Sequence, residues 1–241
     1  MDILEDIISS ITDTHPVKEV YTCAFWTAVI SKHCGLSSTF KESHPNHETV
    51  RDAGKLRQKD ILELIQYARS DILLEASIGM AAINSVIDTD ESLCIMENAF
   101  DAIVRRGTGK NIAVVGHFPW IPKLRNIAKQ LWVIEQRLQP GDLPEEAAND
   151  VIPDADVVAI TGTSFINHTI NNLLKLSKGK YVVVLGPTTP LSPILFDYGV
   201  DVISGSQVID SQKLIFSITE GATLKQVDGI KFLNMSKEFK K

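Results

Sequence analysis

The chain has 241 residues, 44% of them hydrophobic and 22% charged, with a formal net charge of -6. This is the composition of an ordinary globular protein with one large domain or two small ones. The acidic balance provides no basic patch for nucleic acid, and no apolar run reaches the length of a membrane span. Met1–Glu5 does not resemble a signal peptide, and Cys23, Cys34 and Cys94 form no CxxC pair, so we expect a cytoplasmic protein with reduced, mostly buried thiols.

The N-terminal half predicts strands followed by helices, which is an α+β pattern. Apolar spacing indicates a first helix, and the β-branched and aromatic residues after it indicate a hairpin with a third strand. Asp60 is a helix cap, and either Ser70 or Asp71 caps the next helix. The expected helices cover 2–11, 61–65, 71–87 and 92–105, and the expected strands lie within 17–31 and 35–40.

From Asn111 onward, strands and helices alternate, which predicts a Rossmann-like, doubly wound parallel sheet. The expected strands are Ile112–Val115, Leu131–Ile134, Val157–Ile160, Tyr181–Leu185 and Val200–Ile203. The expected helices are Pro119–Lys129, Pro144–Asn149, Ser164–Leu176, Ser192–Tyr198 and Asp210–Glu220, and we expect the end from Met235 to fray. The change of pattern predicts two domains, 1–107 and 108–241.

The first alternating strand ends at Gly116-His117-Phe118-Pro119 and organises the predicted site. Ligands of open α/β sheets bind outside the carboxyl ends of the strands, where free N–H groups and a helix start favour an anion. Of the three glycines of the dinucleotide fingerprint only Gly116 is present, and Pro119 and Trp120 would crowd a pyrophosphate. Glu135 follows the second strand, where a ribose-binding acid sits in nucleotide-binding folds, although a solvated strand end explains it equally well.

Other polar residues follow the third and fourth strands. Hydroxyl and amide groups at this edge can bind a phosphate, a carboxylate or a polar ring; they belong to Thr161, Gly162, Thr163, Ser164 and Asn167. After the fourth strand, Gly186, Pro187 and Thr188 form a rigid segment that suits a pocket wall. The unperturbed pKa of a histidine side chain lies near neutrality, so His117 is the candidate catalytic residue, as a proton carrier or a ligand-orienting donor.

Two histidines and an acid in a polar loop indicate a second kind of site. His44, His47 and Glu48 could contribute to a metal centre with His33 and Cys34 nearby in sequence, although zinc needs three or four converging ligands. A polar loop without any metal is the alternative interpretation of this segment.

Several segments of the sequence resemble a prokaryotic family of unknown function labelled "putative heavy-metal chelation domain". The C-terminal match comprises 116–119, Glu135, 155–169 and 186–193, and the N-terminal match comprises Trp26, 35–40 and 78–84. The resemblance implies an N-terminal domain like the enolase N-terminal domain, joined to a Rossmann-like domain. It further implies a site in the cleft between them, with Asn84 facing Gly116, His117, Thr161 and Gly186.

The leading hypothesis is a protein that binds a small anionic or nucleotide-like ligand in an interdomain cleft, either as an enzyme or as a ligand-handling protein, and that makes or handles a heavy-metal chelating molecule. A non-enzymatic metal or metallophore binding module and a nucleotide-dependent transferase are the alternatives. The cofactor is left open between a metal ion and a nucleotide-like molecule. We expect a small-molecule partner, neither nucleic acid nor membrane, and the sequence carries no signal for an oligomeric state.

Overall fold

The computed structural model describes residues 2–40 and 49–239, which form two β-sheets flanked by helices. The smaller sheet has three strands and the larger has seven. The α/β class expected from the sequence is therefore confirmed, with an α+β N-terminal part and a mostly parallel C-terminal sheet.

The residues before position 88 form a small α+β unit. Its elements are α1 (Ile3–Ser10), β1 (Glu19–Thr22), β2 (Trp26–Ile30), β3 (Cys34–Ser38), α2 (Ile61–Leu64) and α3 (Leu73–Asn84). The strands pair antiparallel in the order β1-β2-β3, and α3 packs across β2 and β3. Gly35 permits this contact, because a Cβ atom there would lie 2.1 Å from the carbonyl oxygen of Ala81.

The larger sheet contains the alternating strands and two that the sequence did not reveal. Its strands are β4 (Cys94–Ile95), β5 (Asn111–Val115), β6 (Gln130–Ile134), β7 (Val157–Thr161), β8 (Tyr181–Leu185), β9 (Val202–Val208) and β10 (Ile230–Ser236). Their order is β4-β10-β9-β8-β7-β5-β6. Strands β5 to β9 are mutually parallel, whereas β10 and β4 are antiparallel additions. The chain passes from β5 to β6 on one side of β5 and then crosses back to β7 on its other side. The topological switch point therefore lies between β5 and β7.

Helices cover both faces of this sheet, as a doubly wound sheet requires. They are α4 (Ala99–Gly107), α5 (Ile121–Arg125), α6 (Ala148–Val151), α7 (Ile170–Leu176) and α8 (Ile194–Asp197). The last helix, α9 (Ser211–Thr219), instead packs with residues of the small sheet, including Trp26 and Leu36. One face, including Ile112 and Val114, packs with α4 and α5. The other face, including Val158 and Val184, shares one continuous apolar core with α7, α8 and the N-terminal unit.

Two helices beside the predicted site begin later than expected. Helix α5 begins at Ile121 rather than Pro119 and has five residues. The segment from Gly162 to Phe165 is a 3₁₀ turn, and α7 begins only at Ile170. The cause of the second delay is local, because the Asn167 Oδ1 atom accepts hydrogen bonds from Thr169, and His168 has a φ of 59°. That left-handed conformation does not occur within an α-helix.

Four N- and C-terminal expectations were wrong in detail. The cap of α3 is Ile72 rather than Ser70 or Asp71, and the expected helix 92–105 is replaced by strand β4 and the later helix α4. Strand β9 continues through Gly205 to Val208. Met235, expected in a frayed end, is buried in β10, because that strand pairs along its length with β9.

The segment before the expected boundary at residue 107 already belongs to the large sheet. Strand β4 pairs with β10, and α4 packs on β7, β8 and β9. Separation at residue 107 would remove α4 from the strands that it covers. We therefore propose that the two units meet between Ile87 and Cys94.

Within the part of the chain that the structure describes, no helix has the length and apolar character needed to cross a membrane. Cys23, Cys34 and Cys94 are free, but each is half-buried rather than mostly buried as expected. Burial raises the pKa of all three thiols, to about 12 for Cys34.

Candidate functional site

A cavity of about 570 Å³ lies at the topological switch point, between the two units. The sheet contributes the carboxyl ends of β5, β6 and β7, and the N-terminal unit contributes residues from the β1–β2 turn and the segment after β3. We call this space the main cavity. Its volume lies in the range of roughly 300–1,000 Å³ that is usual for small-molecule sites.

The turn after β5 has two backbone N–H groups that are available to a ligand. Gly116 has a φ of 99°, and its N–H donates to the carbonyl oxygen of Ile134. The N–H groups of the next residues, His117 and Phe118, have no hydrogen-bond partner within 2–40 and 49–239. Both residues line the main cavity. Because α5 begins only at Ile121, the expected contribution of a helix start at this turn is wrong, and the donors are the amides themselves.

Hydroxyl groups from β7 lie next to this turn. A Cβ atom built on Gly116 would lie 3.0 Å from Cβ of Thr161, which places the two strand ends in contact. The Thr161 and Thr163 hydroxyl oxygens are 3.0 Å apart, and both residues line the main cavity. Asn167 also lines the main cavity, and its Oδ1 atom accepts a hydrogen bond from the Thr169 hydroxyl. The amide N–H₂ group of Asn167 has no hydrogen-bond partner among the described residues.

His117 forms a pair with a buried acid. Its Nδ1 atom lies 3.1 Å from Oδ2 of Asp142, and the Asp142 side chain is 1% exposed against 29% for His117. Asp142 follows β6 in a turn where Oδ2 also accepts the N–H of Gln139 at 3.0 Å. This arrangement orients the imidazole by one nitrogen and leaves Nε2 without a partner among the described residues.

Charged side chains of both signs line the β6 side of the main cavity. Glu135 accepts the N–H groups of Gln136 and Arg137 through Oε1, so it caps its own turn while it lines the cavity. Glu145 accepts from the Gln136 side chain at 2.7 Å. The Arg137 guanidinium has no ion pair or hydrogen bond within the described ranges, and Arg137 lines the main cavity.

The opposite wall is apolar and comes from the N-terminal unit. Ala24, Phe25, Thr39 and Phe40 contribute to it, and Phe118 adds a further ring from the sheet side. The wall is held together by the Thr39 N–H, which donates to the carbonyl oxygen of Phe25 at 2.9 Å. Aromatic surface facing a polar sheet edge suits a ligand with a charged group and an apolar or planar body.

Half of the predicted ligand-binding residues lie together in the main cavity, and half lie elsewhere. Those in its lining are Gly116, His117, Glu135, Thr161, Thr163 and Asn167. Those outside it are Asn84, Gly162, Ser164, Gly186, Pro187 and Thr188.

Asn84 and Thr188 connect the two units instead of facing the main cavity. The Asn84 amide donates to the carbonyl oxygens of Leu36 and Thr188, at 2.9 and 3.1 Å. The Thr188 hydroxyl oxygen accepts the N–H of Ser38 at 2.9 Å. Asn84 lines a separate cavity of about 60 Å³.

The segment after β8 is packed too tightly to reach the main cavity. A Cβ atom on Gly162 would lie 2.3 Å from Oγ1 of Thr189. Because Gly162 has no side chain, the segment after β8 packs directly on the turn after β7. Pro187 is buried there, and Gly186 donates its N–H to Ser204. Ser164 is buried, and its hydroxyl donates a hydrogen bond to the carbonyl oxygen of Thr161.

Within residues 2–40 and 49–239, no group of three or more His, Cys, Asp or Glu side chains could hold a metal ion. The hypothesis of a metal centre at His44, His47 and Glu48 concerns residues outside the described ranges.

Sequence reasoning missed Arg137, Asp142, Phe25 and Phe40. Asp142 and Arg137 lie in an irregular connection after β6, where no periodic pattern marks them. Phe25 and Phe40 come from the other unit, so only the docking of the units brings them to the site. The sequence does contain one feature that could have indicated Arg137, which is its position two residues after Glu135 at the same strand end.

Two family models together match nearly the whole chain. The DUF364 family model matches residues 98–233 and the DUF4213 model matches residues 4–87, and both are described as "Putative heavy-metal chelation". An uncharacterised protein of Methanocaldococcus jannaschii is 29% identical over 192 residues, which are 76% of this chain and 73% of the relative.

Two crystal structures of DUF364 proteins with unknown function share the fold. The Desulfitobacterium hafniense protein is 27% identical with a TM-score of 0.87, and the match covers 98% of each chain. The Pyrococcus horikoshii protein is 18% identical with a TM-score of 0.81, over 97% of this chain and 98% of that one.

Proposed function

The chain belongs to the DUF364 family, described as "Putative heavy-metal chelation", and on that basis we propose that its main cavity binds a small organic anion able to chelate a metal. The single observation that supports this most is the pair of N–H groups on His117 and Phe118, which have no hydrogen-bond partner among the described residues and lie next to the Thr161 and Thr163 hydroxyls. Backbone amides and hydroxyls are hydrogen-bond donors for carboxylate or phosphate oxygens.

The remaining groups define the ligand further. Arg137 supplies a positive charge, and guanidinium binds carboxylate and phosphate in a two-pronged geometry. Glu135 and Glu145 can accept hydrogen bonds from an amine or hydroxyl. Phe25 and Phe40 would cover the apolar or planar part of the molecule. In this proposal any metal enters with the organic ligand as cargo, and the protein acts in the cytoplasm on a small molecule.

Thermal unfolding with a panel of probes tests the proposal. Citrate and 2,3-dihydroxybenzoate are the chelating anions, AMP is the nucleotide, and Ni²⁺ and Zn²⁺ are added alone. A ligand that binds only the folded protein raises the melting temperature by mass action. We expect a chelating anion to raise it and the metals alone to leave it unchanged. Stabilisation by metal alone, with none by the organic anions, would instead support a metal-binding module.

Variants then locate the bound anion. Arg137→Gln should weaken binding of the stabilising anion roughly 10-fold or more, because a hydrogen bond to a charged group contributes about 1.5–3 kcal/mol. Lys178→Gln makes the same loss of charge at an exposed position outside the cavity lining and should leave the affinity unchanged. Equal affinities in both variants would place the anion away from the main cavity.

A nucleotide-dependent transferase is the second candidate. The observation that favours it is the position of Glu135, which directly follows β6, the strand beside β5, and lines the same cavity. Against it, Phe118 stacks on Trp120 with ring centroids 4.7 Å apart in the turn that would have to accommodate phosphates. Stabilisation by AMP that is lost in Glu135→Gln would support the transferase over the chelating anion.

A further inference from the structure

Asp142 is a buried acceptor directly behind a histidine that the main cavity can reach. Its Oδ2 atom lies 3.1 Å from Nδ1 of His117 and also accepts the N–H of Gln139. Its second oxygen, Oδ1, is buried without a hydrogen-bond partner in the described part of the chain. Within that part, His117 and Gln139 are therefore the two donors available to this carboxylate.

This contact determines which ring nitrogen of His117 carries the proton. An ionised carboxylate only accepts hydrogen bonds, so a neutral imidazole beside it is stabilised with its proton on Nδ1. Nε2 then keeps its lone pair. Nε2 has no hydrogen-bond partner among the described residues, and His117 lines the main cavity.

We propose that Asp142 is a positioning residue, which keeps His117 in the Nδ1–H form so that Nε2 can accept a proton from a ligand in the main cavity. The inference rests on the proposed function in one respect, that a ligand occupies this cavity. It adds that this ligand carries a weakly acidic O–H or N–H group, as a chelating hydroxyl or amine does before it binds a metal.

The proton transfer needs no further reactant. The O–H or N–H bond of the ligand breaks, the proton bonds to Nε2, and the electron pair stays on the ligand. The resulting imidazolium keeps its Nδ1–H bond to Asp142, which balances its charge. The new anion can accept hydrogen bonds from the free N–H groups of the same turn.

The other charged residues that line the main cavity are Glu135, Arg137 and Glu145. From the N-terminal unit, the described lining residues are Ala24, Phe25, Thr39 and Phe40, none of which titrates. Asp142 is thus the acid in direct hydrogen-bond contact with the imidazole.

The tautomer of His117 can be measured by ¹⁵N NMR on the full-length protein without ligand, at a pH where the ring is neutral. His117→Gln identifies the resonances. We expect a protonated Nδ1 and an unprotonated Nε2 in the wild type. Both contacts use the Oδ2 atom of Asp142, so the informative variant is Asp142→Ala, which removes the acceptor of the Nδ1–H group. Without that acceptor the Nδ1–H form loses its hydrogen bond, and the proton should move to Nε2.

Asp150→Ala is the matched control, an identical change at an exposed position, and should leave the tautomer as in the wild type. A wild-type proton on Nε2, or the same tautomer in folded Asp142→Ala, would overturn the inference. If Asp142→Ala does not fold, the wild-type tautomer decides. Because no ligand is present, this result is independent of whether the anion panel binds.

Discussion

At the scale of single residues, Gly116 connects the sheet to the site. Its φ of 99° is a conformation that residues with a side chain rarely adopt. The chain turns at this residue, and the N–H groups that follow it no longer take part in the hydrogen bonds between β5 and β6. A Cβ atom would also approach Thr161 Cβ to 3.0 Å. One residue therefore satisfies both a backbone requirement and a packing requirement at the edge of the main cavity.

We expect Gly116→Ala to destabilise the protein more than Gly109→Ala. Gly109 has a φ of 72° with open space around its Cβ position, so it carries the conformational cost of about 1–2 kcal/mol alone. Overpacking against Thr161 should add roughly 1–3 kcal/mol at Gly116. Urea denaturation of both variants measures the difference, and equal losses of stability would show that the contact with Thr161 relaxes freely.

The three cysteines should remain unpaired and differ in reactivity. Alkylation with and without prior reduction should add the same mass to the unfolded protein, and a difference of one disulfide would contradict this. In the folded protein, Cys34 should react slowest, because burial raises the pKa of its thiol to about 12 and little thiolate exists near neutrality. Time-resolved mass spectrometry of the alkylated peptides gives the order.

At the scale of elements, α3 shows how small residues allow close packing. The helix is buried along most of its length between the small sheet and the 3₁₀ turn Ile65–Arg69. A Cβ atom on Gly79 would lie 1.9 Å from the backbone nitrogen of Ala68. Backbone cannot move aside as a flexible side chain can, so the contact depends on glycine.

Gly79→Leu should therefore lower the free energy of unfolding by at least about 1–3 kcal/mol. Lys175→Leu, which places the same side chain at an exposed position of α7, should change it by about 0.5 kcal/mol or less. Both values come from denaturant titration of the purified variants. A midpoint for Gly79→Leu equal to that of the wild type would show that α3 can shift away from the turn.

At the scale of the whole molecule, polar contacts from distant parts of the sequence hold the two units together. The Ile3 N–H donates to the Asn171 side chain at 3.0 Å, and Tyr198 donates to Asp6 at 2.5 Å. With the bonds of Asn84 to Thr188, these contacts flank the apolar core that both units share. The walls of the main cavity come from both units, so its shape depends on this docking.

Stability at alkaline pH should depend on Tyr198. Burial, together with the hydrogen bond to Asp6, raises the pKa of Tyr198 to about 12. An unfolded tyrosine titrates near about 10, so the folded state retains the proton to higher pH. The resulting stabilisation is complete below about pH 10 and is lost as the pH rises to about 12.

Tyr198→Phe should therefore be less stable than the wild type at pH 8 and should approach it as the pH rises toward 12. Denaturant midpoints for both proteins at several pH values measure this difference. Other titrating groups are the same in both proteins and cancel. A constant difference between the two curves would mean that Tyr198 ionises equally in the folded and unfolded states.

The sequence determined the elements whose signal is local. β-branched runs that end in glycine located β5, β7 and β8, because buried parallel strands need continuous apolar residues. The order of those strands and the position of Gly116 then located the cavity edge, with His117, Glu135, Thr161, Thr163 and Asn167 in its lining. Asp60 and Asp210 marked helix starts correctly, since a cap acts on its own next residues.

Only the tertiary structure decided the features that depend on residues far apart in the chain. Strands β4 and β10 are stable because each pairs with a partner, and the sequence of either carries little pattern of its own. Gly186 follows a strand as Gly116 does, yet packing of Thr189 against Gly162 separates its loop from the cavity. Asp142, Phe25 and Phe40 reach the site through an irregular turn and the docking of two units, which arise from packing and leave no periodic trace.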